Sequence, residues 1–171
     1  MRILLFRHAP AERRDEARWP DDLARPLTAR GVRRARRSAR AIVRLEPGLT
    51  HVFSRGARRA DETAHELARA AGGTLRVESL GALAPGGSWR EVVRVLARHD
   101  DASVIALVGH EPDLGKLAGV LLFGAPTSLP LKKAGATSIE AEAPAAGVGR
   151  LRWWWSPGAL RAVAKRRRSN A

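Results

Sequence analysis

The 171 residues are 44% hydrophobic and 28% charged with a formal net charge of +14, a balance that suits one globular domain and leaves little room for a second. The absence of cysteine excludes disulfides, thiolate metal sites and a cysteine nucleophile, so any covalent chemistry must come from another side chain. No apolar run approaches the roughly 20 residues of a membrane span, and residues 1–6 are too short for a secretory hydrophobic region, so a soluble cytoplasmic protein without membrane contact is expected.

Residues 2–6 are a brief, branched apolar run and predict a buried strand. A charged loop with three prolines follows over 10–26, after which Thr28 offers a cap for a helix to about residue 45. Val32, Ala35, Ala39 and Ile42 supply that helix with one apolar stripe. Residues 50–54 predict a second strand, and 58–71 a helix with Ala60, Ala64, Leu67, Ala68 and Ala71 on one face, ended by Gly72-Gly73. A short third strand over 74–77, a helix over 89–98 and a strongly apolar strand over 103–108 come next.

After a helix over 113–122, residues 136–141 and 149–155 read as two strands around a turn at 144–147, an antiparallel edge. Within Trp153-Trp154-Trp155 the strand alternation sends the middle ring to the opposite face from its neighbours. Strands alternating with helices predict an α/β three-layer sandwich whose mainly parallel central sheet is flanked by helices. Residues 1–160 form the expected domain, and 161–171 read as a basic, disordered tail carrying Lys165-Arg166-Arg167-Arg168.

The positive charge has two readings, an anion-binding surface or solvated helix faces such as Arg33, Arg34, Arg36, Arg37 and Arg40. More informative is that Arg7-His8 follows the first strand and Gly109-His110 follows the most apolar one. Ligand sites of open parallel sheets gather outside the carboxyl ends of strands, where residues distant in sequence can converge. His51, His65 and His99 open a strand, lie within an Ala-rich helix and end a helix, and surface or helix-end roles are expected for them. No histidine-carboxylate spacing resembles a metal site, so neither metal nor cofactor is expected.

Arg7-His8-Ala9 resembles the Arg-His-Gly signature of the histidine phosphatase superfamily, and Val108-Gly109-His110-Glu111-Pro112 resembles its second histidine motif. Arg25-Pro26-Leu27-Thr28 with Gly31, Arg59-Ala60 with Glu62-Thr63-Ala64, and Leu131-Lys132-Lys133-Ala134-Gly135 are similar, in that order, to segments of the small SixA-type phosphohistidine phosphatases. Gly149-Arg150-Leu151 and the Trp-rich run to Ser156-Pro157 resemble that subgroup's closing strand. The resemblance implies a phosphoglycerate mutase-like fold and a phosphatase that passes through a phosphohistidyl enzyme without a metal. His8 is then the nucleophile, with Arg7, Arg59 and His110 holding the phosphoryl group. Two departures stand out: Ala9 replaces the usual Gly, and the usual Ser-Pro before Arg-Ala reads Ser54-Arg55-Gly56-Ala57-Arg58-Arg59, which leaves Arg58 and Arg55 as other registers for the clamp.

The residue types suit that chemistry on physical grounds. A phosphoryl group in flight spreads charge over three oxygens, and the planar fork of arginine donates paired hydrogen bonds to them while staying charged. His8 must be neutral at its attacking nitrogen, with its tautomer set by a carbonyl bonded to the other, while His110 would serve best carrying a proton. For the acid that protonates the leaving group Asp21, Asp22 and Glu111 are candidates, Glu111 being better suited to orienting His110 or capping the next helix. By the same resemblance a phosphohistidine on a partner protein is the favoured substrate, since a chain without a large inserted lid leaves the crevice open to a protein side chain, and a small phosphorylated metabolite is the alternative. A basic polyanion-binding module is the non-enzymatic reading, with nucleic acid an unexpected partner.

Overall fold

The structure is a computed structural model that describes residues 1–54 and 56–165. Six strands form one sheet: β1 (Arg2–Arg7), β2 (His51–Ser54), β3 (Val77–Ser79), β4 (Val104–Gly109), β5 (Ala136–Glu140) and β6 (Arg150–Trp155), in the order β3-β2-β4-β1-β5-β6. β1 to β4 run parallel, while β5 runs antiparallel to both β1 and β6. Helices α1 (Ala29–Leu45), α2 (Arg58–Ala70), α3 (Trp89–Leu96), α4 (Asp113–Phe123) and α5 (Pro157–Lys165) complete the element set, with short 3-10 turns at Asp22–Ala24 and Gly81–Leu83.

Alternation along the central strands divides the core. Leu4 and Phe6 of β1 with Val108 of β4 pack toward Ala35, Ala39 and Ile42 of α1 and Leu67 of α2. Ile3 and Leu5 with Leu107 face Leu96 of α3 and Leu114 and Leu121 of α4. Both faces of β1 and β4 are therefore dry, which is why these strands read as unbroken apolar runs rather than alternating ones. In β6 Trp153 and Trp155 lie against the first cluster and Trp154 against the second, as strand alternation requires.

Three boundaries differ from expectation by more than one residue. The third strand is Val77–Ser79, two residues beyond the predicted 74–77, because pairing with Val52–Ser54 of β2 sets its register. Helix α3 stops at Leu96, the last apolar residue it buries. The proposed end of the domain at residue 160 falls inside α5: Leu160 is fully buried, Val163 and Ala164 pack beside it, and Arg44 Nη1 donates to the Ala164 carbonyl at 2.9 Å. An apolar stripe at i, i+3 and i+4 spacing, hidden among basic residues, holds residues 161–165 on α1. Residues 166–171, the rest of the predicted tail, lie outside the described residues.

The C-terminal end of α1 is tied down by Glu46, whose fully buried carboxylate accepts from Arg2 Nη1 (2.8 Å), Trp153 Nε1 (2.8 Å) and Arg152 Nε (3.1 Å). Burial opposes its ionisation, but Ser138, Trp153 and Arg152 outweigh it and hold the carboxyl below its ordinary range. Among the described residues no helix is long and apolar enough to cross a membrane.

Candidate active site

β1 and β4 are neighbours in the sheet with Arg7 paired to Gly109, so the residues that follow them leave at the same level. The His8 amide donates to the Gly109 carbonyl at 2.9 Å. The rings of His8 and His110 consequently stand 6.0 Å apart between centroids, inclined by 64°. This is the point where the chain crosses from one side of the sheet to the other, the usual position for a ligand crevice in such folds.

His8 is 5% exposed and its Nδ1 lies 2.7 Å from the Ala9 carbonyl. A carbonyl only accepts, so Nδ1 carries the proton and Nε2 keeps its lone pair. Burial pushes the His8 imidazole down to about 3, and the charges of Arg59, His110 and Arg7 add to it. Burial, followed by the charge of Arg59, also lowers His110, and both of its ring nitrogens are buried without a partner among the described residues. The expected contrast between a neutral His8 and a protonated His110 is thus not found: burial and the same arginines favour the neutral form of both rings.

Two guanidiniums flank the histidines. Arg7 Nη1 donates to the Leu131 carbonyl at 2.5 Å, and its buried Nε has no protein acceptor among the described residues. Arg59, in the first turn of α2 and 7% exposed, donates from Nη1 to the Asp22 carbonyl (2.7 Å) and from Nη2 to Asp22 Oδ2 (3.1 Å), while its buried Nε is likewise open. Arg58 instead points outward to Glu62 at 2.8 Å, and Arg55 lies outside the described residues. Ala57, which precedes α2, offers no side-chain cap, so the positive end of the helix dipole lies uncapped beside Arg59.

The three candidate acids are otherwise engaged. Asp21 accepts from the Leu23 amide at 2.9 Å and caps a 3-10 turn. Asp22 receives both Arg59 and Arg25, the latter at 2.9 Å. Burial opposes ionisation of Asp22, but the charges of Arg59 and Arg25 prevail and keep the carboxyl below its ordinary range. Glu111 Oε1 accepts from the Leu131 amide at 2.9 Å. It does not cap α4, whose first turn is preceded by Pro112 without a side-chain bond, and no bond joins it to His110, so both of its expected roles give way to fixing the loop that carries Leu131.

Several supporting residues had motif positions but no assigned role in the sequence. Thr63, fully buried, accepts from the Ala9 amide (3.1 Å) and donates to the Arg59 carbonyl (2.7 Å), so one hydroxyl joins the segment that follows His8 to the residue that carries the second guanidinium. Ala9 itself is buried in the core, where its methyl packs on the α1 side. The Ala134 amide donates to the carbonyls of Arg7 (3.2 Å) and His8 (3.1 Å), and φ of 63° at Ala134 turns the chain to do so. Burial, then the charges of Arg7, Arg25 and Arg59, lower the Lys133 ammonium, which places that cation in the same field. At Gly31 a Cβ would lie 1.8 Å from the Pro10 carbonyl oxygen, so only glycine lets α1 approach the loop that leads from His8.

Beside His110 opens a cleft of about 330 Å³ lined by Leu83, Trp89, Val92, Lys116 and Pro126 among others. The remaining histidines lie elsewhere: His51 and His99 stand 4.3 Å apart next to Phe53, and His65 Nδ1 meets the Asp61 carbonyl on α2 at 2.7 Å. Among the described residues no three His, Asp or Glu side chains form a group that could hold a metal ion.

The family profile described as Histidine phosphatase superfamily (branch 1) matches residues 3–84. In three dimensions the chain is similar to the protein histidine phosphatase SixA complexed with tungstate, at TM-score 0.76 and 25% identity over 94% of this chain and 99% of that one. It is similar also to a structure assigned as the phosphohistidine phosphatase SixA of Nakamurella multipartitia, at TM-score 0.64 and 26% identity over 91% and 95% of the two chains. A mycobacterial glucosyl-3-phosphoglycerate phosphatase shares the fold at TM-score 0.67 and 17% identity over 91% and 98%. No curated protein matches in sequence. The three-layer, phosphoglycerate mutase-like α/β architecture expected from the sequence is the one these similarities describe.

Proposed function

We propose that the chain is a member of the histidine phosphatase superfamily, whose profile matches residues 3–84, and a metal-independent phosphatase in which His8 takes the phosphoryl group of a phosphohistidine carried by a partner protein. The observation that carries this reading is the 2.7 Å contact of His8 Nδ1 with the Ala9 carbonyl, which leaves the Nε2 lone pair as the free nucleophilic atom beside Arg7, Arg59 and His110. In the first step Nε2 attacks phosphorus as the bond to the substrate nitrogen breaks. The Ala9 carbonyl stabilises the positive imidazole that results, since Nδ1 keeps its proton. In the second step water attacks phosphorus, the P–Nε2 bond breaks and phosphate departs, returning His8 to its neutral form. The open Nε groups of Arg7 and Arg59 and a ring N–H of His110 hold the equatorial oxygens, where the charge develops.

A protonated imidazole leaves readily, so a phosphohistidine substrate makes little demand on an enzyme acid, which accords with Asp22 being held ionised by two arginines. Likeness to the protein histidine phosphatase SixA supports the same substrate class. Brief mixing with ³²P-labelled phosphohistidine protein and acid-free quench should leave base-stable, acid-labile label on the wild-type chain and none on His8→Ala. Wild-type turnover by His8→Ala would overturn the nucleophile assignment.

One observation favours a second reading, a small phosphate ester. The cleft beside His110, with Trp89 and Lys116 on its walls, is large enough for a compact leaving group. Comparing kcat/KM for a phosphohistidine protein with that for a panel of small esters separates the two, a preference for an ester of tenfold or so favouring the second.

A further inference from the structure

Guanidiniums of this chain converge at several places, and at three of them a carboxylate sits in the middle. Glu46 receives Arg2 and Arg152, Asp22 receives Arg25 and Arg59, and Glu66 receives Arg36 through two bonds (3.0 and 3.1 Å) together with Arg69 (2.8 Å). The cleft where α1 meets the first turn of α5 breaks this pattern. Arg34 and Arg37 of α1 and Arg161 of α5 line it with Ser38, Pro157 and Gly158, around about 200 Å³. Among the described residues none of these three arginines has an ion pair or hydrogen bond with a carboxylate. Helix α1 cannot supply one, for it carries no acidic residue between Ala29 and Leu45.

Three like charges around one concavity repel one another unless an anion stands between them. The surrounding backbone offers more of the same field. Pro157 has no N–H, the Ala159 amide is taken by Ser156 Oγ (3.3 Å) and that of Leu160 by the Ser156 carbonyl (3.0 Å), while the Gly158 amide between them has no acceptor among the described residues. The floor of the cleft is fixed, because the buried Ser38 hydroxyl donates to the Ala134 carbonyl at 2.8 Å. From the convergence of Arg34, Arg37 and Arg161 on this uncompensated concavity, we infer that the α1–α5 cleft is a second oxyanion site, separate from His8, that binds one phosphate group. Three planar forks match the three free oxygens of a phosphate better than a lone carboxylate. The group is either free inorganic phosphate or the phosphoryl of a phosphorylated side chain, and the site does not depend on the reaction assigned to His8.

Calorimetric titration of the full chain with inorganic phosphate tests this. The wild type should bind two phosphates, and Arg59→Ala one. A double Arg37→Ala/Arg161→Ala variant should lose the second site, its affinity falling about tenfold or more, whereas the charge-matched Arg33→Ala/Arg40→Ala variant keeps it. A parallel titration with a short phosphoserine peptide identifies the source: saturation by inorganic phosphate shows that the ion suffices, and saturation by the peptide alone shows a chain-borne group. Either supports the site. If Arg59→Ala retains two phosphates, the cleft stands and the clamp role of Arg59 fails. Binding of one phosphate by the wild type and none by Arg59→Ala in both titrations, or equal loss in the two double variants, would overturn the proposal.

Discussion

Asp22 occupies both terminal nitrogens of Arg59, its carbonyl at 2.7 Å from Nη1 and its carboxylate at 3.1 Å from Nη2. Arg59 is therefore already paired with an internal anion, while its buried Nε has no partner among the described residues. Asp22→Asn keeps the carbonyl bond and removes the competing charge. Inorganic phosphate should then inhibit more strongly, its inhibition constant falling roughly three- to tenfold, with kcat changing less than about tenfold. A collapse of kcat confined to substrates with poor leaving groups would instead identify Asp22 as the acid.

The depressed imidazole of His8 makes a pH prediction with a definite sign. In the native protein His8 takes up a proton only near pH 3, while the unfolded chain does so near its ordinary value of 6.5. The unfolded state binds more protons between those values, so this contribution to stability is complete above about pH 6.5 and is lost as pH falls toward 3. The melting temperature of the wild type should drop more steeply over that window than that of His8→Ala. The acid limb of kcat/KM should likewise lie well below pH 6.5, because His8 needs no deprotonation at neutral pH. An acid limb near 6.5 that is lost with His8 would contradict the buried, neutral imidazole.

Thr63 joins Ala9, next to the proposed nucleophile, to Arg59 of the proposed phosphate clamp through a single hydroxyl. Thr63→Val has nearly the same volume but leaves the buried Ala9 amide without its acceptor, at a cost of about 1–3 kcal/mol. Chemical denaturation should show that loss, and kcat should fall further than KM rises, since the clamp and nucleophile lose their common reference. A kcat equal to wild type would confine Thr63 to a stability role.

Glu46 is far from the histidines and should affect stability alone. Removing its buried carboxylate leaves Trp153 Nε1, Arg2 and Arg152 without their acceptor. Arg2 and Arg152 are 29% and 36% exposed and recover water, so Glu46→Ala should cost about 2–3 kcal/mol rather than the ~3–5 kcal/mol of a fully buried pair. Equilibrium unfolding in urea measures the loss, and unchanged kcat/KM at low temperature marks it as structural.

The likeness of the motifs also separates two kinds of information. Local runs such as residues 2–6 and 103–108 declared buried strands because both faces of β1 and β4 are dry, and a two-sided strand needs no partner to be recognised. The edges were less legible: β3 takes its register from β2, and α5 holds residues 161–165 through Leu160, whose burial depends on α1. Among site residues, Arg7, His8, Arg59 and His110 could be named from their motifs. Which carbonyl orients His8, and which residues hold Asp22 and Glu111, depended on loops distant in sequence.

By itself, then, the sequence determined the strand-helix alternation, the two histidine motifs at strand ends and a residue set suited to phosphoryl transfer, because these are carried by short-range patterns of side-chain type. Only the tertiary structure decided that Arg7 pairs with Gly109, so that two histidines separated by a hundred or so residues face one another at 6.0 Å. It also decided their protonation. Burial and the field of converging arginines are properties of packing, and they favour the neutral form of both rings where the residue types alone allowed one of them a proton.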